Sequence, residues 1–178
     1  MAEPEETLSS ERVFAGRRFG VRVDRVRLAD GTVTVREVAE SANAVVIVAV
    51  DDDQNLLLVR QYRFAVGREL LELPAGLIEG DDAPIASAQR ELREETGFAA
   101  DELTELGHFY AGPGGLTECM YAFLGTGLTH DPLAPDADER IELVRMGFSE
   151  AVEMARAGGF HDAKTIASLL LAERRVLG

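Results

Sequence analysis

The run Ala44–Val50 constrains the fold most, because every residue in it is apolar and most are valine or isoleucine. An uninterrupted run of this kind is typical of a strand that is buried on both faces. Turn-forming residues 51–55 follow it, and Leu56–Tyr62 then returns as its predicted partner strand. These two segments predict the centre of a sheet.

Strands and helices are both predicted along the rest of the chain. Residues 12–37 alternate between apolar and charged types, which predicts a hairpin. Pro84 and Gly97 bound a predicted helix, and two more helices are predicted, one capped by Ser149 and one over residues 162–176. The remaining predicted strands lie near residues 70–73, 103–110, 118–124 and 141–148. This mixture indicates an α/β domain.

The chain has 178 residues, which predicts one main domain. We expect a flexible acidic tail over 1–10, an N-terminal β-hairpin over 11–40 and the main domain over 41–178. The net charge of −14 disfavours nucleic acid or an anionic membrane as a partner. Cys119 is the only cysteine, so no internal disulfide forms, and we expect a cytoplasmic protein.

Three carboxylates fall on one face of the predicted helix that ends at Gly97. Glu91, Glu94 and Glu95 are spaced i, i+3 and i+4, and Arg90 precedes Glu94 by one turn. The carboxylates repel each other unless Arg90 or a cation offsets them. Such oxygen ligands suit Mg²⁺ or Mn²⁺, although a solvated acidic face would show the same spacing.

The residues around these carboxylates follow a longer pattern. Its fixed positions are Gly76, Asp82, Arg90-Glu91-Leu92, Glu94-Glu95 and Gly97-Phe98. This pattern resembles the signature of the Nudix hydrolases, with Asp82 where the family has glutamate. The resemblance implies an α/β/α sandwich with a mixed β-sheet and hydrolysis of nucleoside diphosphates linked to a second moiety. It also implies that Glu91, Glu95 and the Ala75 carbonyl bind metal, beside catalytic Glu94 and Arg90.

Shorter motifs extend the resemblance to the ADP-ribose pyrophosphatase branch of the family. They are Val59-Arg60-Gln61-Tyr62-Arg63, Glu72-Leu73-Pro74-Ala75-Gly76 and Gly112-Pro113-Gly114-Gly115-Leu116-Thr117-Glu118. The resemblance implies that Glu118 is a general base or a further metal contact. Arg63 is the candidate to hold the diphosphate, because a guanidinium suits phosphate oxygens. Gly76 allows close approach of the backbone, and Pro113 marks the substrate loop.

The N-terminal hairpin is the predicted base-binding surface. By the same resemblance, Phe19 and Arg36 sandwich an adenine and Glu37 hydrogen-bonds to it. Phe19 as an ordinary core residue remains an alternative. The branch pairs its N-terminal strands between subunits, so we expect a homodimer.

The resulting prediction is a hydrolase that converts ADP-ribose to AMP and ribose 5-phosphate. One alternative is hydrolysis of GDP-mannose or another nucleoside-diphosphate sugar. A second alternative, from another class, is a non-enzymatic nucleotide-sensing module.

Overall fold

The computed structural model describes residues 4–135 and 140–178. The chain divides into two compact units. Unit 1 comprises the chain up to Asn43 together with Tyr110–Cys119, and unit 2 comprises Ala44–Phe109 and Met120–Gly178. The sequence predicted a boundary near residue 40 but not that 110–119 belongs with the N-terminal strands. No helix in the described ranges is long and apolar enough to cross a membrane.

Unit 1 contains a three-stranded antiparallel sheet in the order β1-β2-β3. Its strands are β1 (Glu6–Ala15), β2 (Phe19–Arg27) and β3 (Val33–Ser41). The predicted hairpin is therefore two strands of a larger sheet. The predicted flexible tail is corrected as well, because β1 begins at Glu6, opposite Arg27. Every residue of β1 is exposed, so no buried apolar face marks this strand in the sequence. Residues 1–3 of the predicted tail lie outside the described residues.

The segment Tyr110–Cys119 runs along β3 within unit 1. The Ala39 N–H donates to the Gly115 carbonyl over 2.8 Å, and the Thr117 N–H donates to the Ala39 carbonyl over 3.0 Å. Pro113 occupies the second position of a turn that the Gly115 N–H closes onto the Gly112 carbonyl at 3.1 Å. Backbone pairing and a fixed turn therefore shape this loop.

The described residues of unit 2 form two sheets and three helices. One sheet has the order β10-β5-β6, and the other has the order β7-β4-β9-β8. The second sheet is mixed, because β4 is antiparallel to β7 and parallel to β9. The strands are β4 (Ala44–Ala49), β5 (Asn55–Arg63), β6 (Arg68–Glu72), β7 (Ala75–Leu77), β8 (Phe98–Tyr110), β9 (Cys119–His130) and β10 (Ile141–Gly147). A 3-10 turn spans Phe64–Val66, and the helices are α1 (Pro84–Thr96), α2 (Phe148–Arg156) and α3 (Ala163–Val176).

Strand β4 lies at the centre of unit 2, as its apolar run predicted. Alternate residues enter two different cores. Val45 and Ile47 pack in a cluster with Leu92 of α1. Val46 and Val48 pack in a cluster that contains residues of α2 and α3. Helices therefore cover both faces of this strand, which confirms the predicted α/β/α sandwich with a mixed sheet.

Two local predictions were wrong, namely the partner of β4 and the cap of α2. Strand β5 was predicted to pair with β4, but it pairs with β10 and β6 instead. An isolated bridge between Val50 and Leu56 joins the start of β5 to the end of β4. Helix α2 is preceded by Gly147, and no side chain caps it. Phe148 takes the first helical position and is buried, so the predicted cap Ser149 lies inside the helix.

Candidate active site

The backbone at Ala75 and Gly76 is held from two sides. In β7, Ala75 pairs with Val46 and Gly76 pairs with Val45 of β4. The Ala75 N–H also donates to a carboxylate oxygen of Glu95 over 2.9 Å. Strand pairing and this hydrogen bond therefore bring the last turn of α1 against β7.

Gly76 provides the space in which the Glu91 carboxylate lies. A Cβ atom at position 76 would stand 2.0 Å from Cδ of Glu91 and 2.2 Å from each of its oxygens. No side chain other than hydrogen fits there while Glu91 keeps its place. The glycine is therefore required by packing against a carboxylate of α1.

Gly76→Ala is expected to reduce kcat/KM by about tenfold or more while the chain stays folded. The Glu91 carboxylate is the mobile end of a long side chain, so an added methyl group would push it away from its place beside Arg90. Steady-state kinetics and thermal melting measure the two effects. Gly147→Ala is the matched control, because nothing lies within 4 Å of a Cβ at that position. Equal activity of both variants would contradict the role of Gly76.

Arg90 joins two of the three carboxylates. Its Nη1 lies 2.7 Å from an oxygen of Glu91 and 2.8 Å from an oxygen of Glu94. Its Nη2 donates to the Leu77 carbonyl over 3.0 Å, which ties the guanidinium to β7. Burial lowers the pKa of Arg90, but the charges of Glu91 and Glu94 outweigh it and raise that pKa. The predicted pair between Arg90 and Glu94 is therefore present and includes Glu91.

The donor set suits a divalent cation. In residues 4–135 and 140–178, no three acidic, histidine or cysteine side chains already converge around one point. Instead, Arg90 engages Glu91 and Glu94, and Ala75 engages Glu95. Three carboxylates on one helix face nevertheless supply hard oxygen donors, and Gly76 leaves room for one of them at the backbone. These residues fit a metal site assembled by rotation of the glutamate side chains.

A cleft of about 440 Å³ adjoins these carboxylates in unit 2. Glu94 and Glu95 line it together with two arginines, Arg60 and Arg140. Glu69 and Glu142 also line it, and Glu142 pairs with Arg60 over 3.3 Å. The cleft therefore combines acidic groups that suit a cation with guanidinium groups that suit phosphate.

Arg63 is engaged by a buried carboxylate. Its Nε and Nη2 donate to the two oxygens of Glu72 over 2.9 and 2.7 Å. The hydrogen bonds that Arg63 donates to Glu72 raise the pKa of Arg63 and outweigh the opposing effect of burial. Burial raises the pKa of Glu72, but hydrogen bonds and charge from Arg63 and Lys164 overcome it and lower that pKa. Arg63, the residue predicted to hold the diphosphate, is thus a charged side chain whose orientation is fixed by Glu72.

Unit 1 does not bring the predicted base-binding residues together. Phe19 pairs with Ser41, whereas Arg36 pairs with Asp24. Arg36 and Ser41 are an odd number of positions apart on β3, so Phe19 and Arg36 lie on opposite faces, separated by about 16 Å along the strand. Glu37 is exposed on the face that Phe19 shares. Phe19 and Arg36 of one chain therefore face away from each other, and the expected stacking of an adenine between these two residue types stays a prediction.

Glu118 lies in a restrained part of the unit 1 loop. Thr117 before it accepts the Ser41 N–H at Oγ1 over 3.1 Å. Cys119 after it donates its N–H to the Asn43 side chain over 3.2 Å. Both neighbours are thus tied to the end of β3 or just beyond it, while Pro113 is exposed at the turn of the same loop.

Three residues near the site were not predicted from the sequence: Arg60, Arg140 and Lys164. The two arginines meet in the cleft because β5 pairs with β10 in a register that places Arg60 opposite Glu142. Lys164 is noticeable in the sequence because it is the only lysine in the chain. Its partner Glu72 lies far away in the sequence and could not be predicted from that observation.

Comparison with known families places the chain in one class. The NUDIX domain model matches residues 40–169, and the model of the nucleoside diphosphate sugar hydrolase N-terminal domain matches residues 5–39. The chain belongs to the NUDIX family and is a Nudix hydrolase. The expectation from the signature is thereby confirmed, and the family's need for divalent metal agrees with the carboxylates of α1.

Relatives named as pyrophosphatases match most of the chain. An ADP-ribose pyrophosphatase of Bacillus subtilis is 33% identical over 90% of this chain and 88% of its own length. One from Mycobacterium tuberculosis is 41% identical over 88% of this chain and 76% of its own length. A GDP-mannose pyrophosphatase of Salmonella arizonae is 34% identical over 74% of this chain and 73% of its own length. A crystal structure of an ADP compounds hydrolase superposes with a TM-score of 0.89 at 26% identity, covering 100% of this chain and 97% of that one.

Proposed function

We propose that this Nudix hydrolase cleaves the diphosphate bond of ADP-ribose, giving AMP and ribose 5-phosphate with Mg²⁺ or Mn²⁺. The observation that carries the proposal is the cleft in which Glu94 and Glu95 lie with Arg60 and Arg140. The negative charge of a diphosphate repels a nucleophile. Hydrolysis therefore needs carboxylates that bind a cation and guanidinium groups that bind phosphate oxygens. Similarity to ADP-ribose pyrophosphatases over most of the chain supports the choice of substrate.

The proposed roles of the α1 residues follow from their contacts, and the proposed role of Glu118 follows from the resemblance of its loop to that of the family. Glu91, Glu95 and the Ala75 carbonyl hold the cation, and Arg90 orients Glu94 beside them. A divalent cation held there supplies charge neutralisation for phosphate oxygens and acidifies water. Glu118 acts as the general base that takes the proton from water. Water then adds across the bridging P–O bond, so one phosphate leaves with the adenosine and the other with the ribose.

Arginines hold the diphosphate in this proposal. The Arg63 fork to Glu72 uses Nε and Nη2, so Nη1 is the nitrogen that turns to a phosphate oxygen. Arg60 and Arg140 supply further guanidinium groups in the cleft. These groups bind any diphosphate, so they set affinity and not substrate choice. Choice comes from the groups at the two ends of the substrate.

ADP-ribose is expected to exceed GDP-mannose in kcat/KM by about tenfold or more, because unpaired polar groups disfavour the wrong base edge. In this proposal Phe19 stacks on the adenine, Arg36 covers its other face and Glu37 accepts from its amino group. Phe19→Ala should narrow the gap between the substrates. Phe64→Ala is the control, since Phe64 is 90% exposed in unit 2. Equal rates on both substrates would favour the alternative of a general sugar-nucleotide hydrolase.

A homodimer is proposed on two observations from unit 1. Phe19 and Arg36 lie on opposite faces of the sheet, so a base between them requires two chains. The same unit also exposes large apolar side chains, a feature of interaction surfaces. Those exposed to about half their area are Val13, Phe14, Phe19, Val33 and Val35.

Light scattering is expected to give twice the mass of one chain at micromolar concentration. Val35→Glu should shift the protein towards monomer and lower its activity, because it places a charge in the proposed interface. Val66→Glu, at an exposed position in unit 2, should change neither property. A fully active monomer would contradict the proposal.

A cytoplasmic location is proposed from the lone cysteine, which is a buried thiol. Nucleic acid and anionic membranes are not proposed as partners, because the net charge of −14 opposes both. The alternative of a nucleotide-sensing module predicts tight binding of ADP-ribose without turnover. The intact carboxylates Glu91, Glu94 and Glu95 support an enzyme instead.

A further inference from the structure

A buried carboxylate shared by two cations lies beside the proposed active site. Glu72, at the end of β6, is 1% exposed. One of its oxygens accepts both from Arg63, over 2.7 Å, and from the ammonium of Lys164 in α3. The Lys164 side chain is itself only 14% exposed. A carboxylate so far removed from water requires charged partners to remain ionised.

The start of α3 attaches to the same stretch of backbone by a second route. Asp162 caps the helix by accepting the Thr165 N–H over 3.0 Å, and it pairs with Lys164 over 3.0 Å. The Thr165 hydroxyl donates to Asp162 and accepts the Leu73 N–H over 2.9 Å. Helix α3 therefore holds the side chain of Glu72 and the backbone of Leu73, immediately before Pro74.

Orientation explains the second cation. Arg63 and Lys164 together balance the charges of Glu72 and Asp162, so Lys164 adds no net positive charge for a diphosphate and acts by holding Glu72 in place. Lys164 takes part of the carboxylate charge and fixes the oxygen to which Nη2 of Arg63 donates. Asp162 balances Lys164 at a helix N-terminus, where a carboxylate is stabilised.

We propose that Lys164 is a positioning residue for substrate binding, acting through Glu72 to keep Arg63 oriented and available for the diphosphate. The inference rests on the proposed role of Arg63 and deepens it. Lys164 touches no substrate in this account. Its effect should therefore appear in affinity for diphosphates and disappear when Glu72 is neutral.

Lys164→Met is expected to raise KM for ADP-ribose and the Kd for ADP by about tenfold, since a charge-assisted hydrogen bond is lost. Turnover should stay within about threefold, because the metal-binding carboxylates are untouched. Lys164→Arg should recover most of the affinity. Lys164→Gln replaces the methionine variant if that chain does not fold. Arg156→Met is the matched control, because it removes an ion pair between α2 and Glu173, a residue of α3 like Lys164.

A double-mutant cycle separates positioning from a general structural effect. In a Glu72→Gln background, Lys164→Met should change KM and the Kd for ADP no further. Losses that add in the double variant, or melting temperature that falls while affinity is unchanged, would overturn the inference. Binding of ADP by calorimetry keeps the test independent of turnover. If the wild type binds ADP but does not cleave ADP-ribose, the proposed function fails while the role of Lys164 is still decided by the ADP measurements.

Discussion

Glu95→Gln is expected to lower turnover by about a hundredfold or more, because a charged ligand of the cation is lost. The amide keeps the size of the side chain and an oxygen to accept the Ala75 N–H, so the fold should persist. Steady-state kinetics with ADP-ribose measure the loss, and circular dichroism checks the fold. Glu102→Gln, at an exposed position of β8, is the control that should leave turnover unchanged.

Chelation tests the same group of residues without a mutation. Activity should disappear with a chelator and return when Mg²⁺ or Mn²⁺ is restored. Glu95→Gln should require a higher metal concentration for whatever activity it retains. Chelator-resistant turnover in the wild-type protein would contradict metal-assisted hydrolysis at these carboxylates.

Glu118→Gln is expected to reduce turnover by roughly 10²–10⁴ with little change in KM, the pattern for loss of a general base. Thr117 and Cys119 are both hydrogen-bonded to groups at the end of β3 or just beyond it, so the loop should keep its shape in the variant. Glu11→Gln, an exposed carboxylate of β1, is the control.

A second arm of that experiment uses Glu142→Gln, because Glu142 lines the cleft that contains Glu94 and Glu95. Near wild-type turnover in Glu118→Gln would show that the loop only shapes the substrate site. If turnover then falls in Glu142→Gln, the general base belongs to the wall of the cleft.

Local patterns in the sequence predicted the parts of the fold that short-range rules determine. Ala44–Val50 is buried because its apolar residues satisfy both faces of one strand. Helix α1 ends where expected, since Gly97 adopts the left-handed conformation that terminates a helix. The same helix carries the three carboxylates on one face, and the longer pattern that resembles the Nudix signature was needed to distinguish a metal site from a solvated acidic face.

Long-range pairing determined what the sequence did not predict. Strand β1 exposes all its residues and is ordered by its neighbour β2, so its own pattern is uninformative. The cleft arginines come together through the register of β5 and β10. The face on which Arg36 lies depends on the same kind of information, because a shift of one residue reverses every side chain of a strand. Lys164 and Glu72 meet only when the start of α3 is hydrogen-bonded next to the end of β6.

Chromatography of the products formed from ADP-ribose with Mg²⁺ tests the central claim most directly. Equal amounts of AMP and ribose 5-phosphate should accumulate in proportion to the wild-type protein. Neither product should form with excess chelator, and both should be strongly reduced with Glu95→Gln. Release of ADP with free ribose would show cleavage of a different bond. The absence of any cleavage despite added metal would contradict the assignment of a diphosphate hydrolase acting on ADP-ribose.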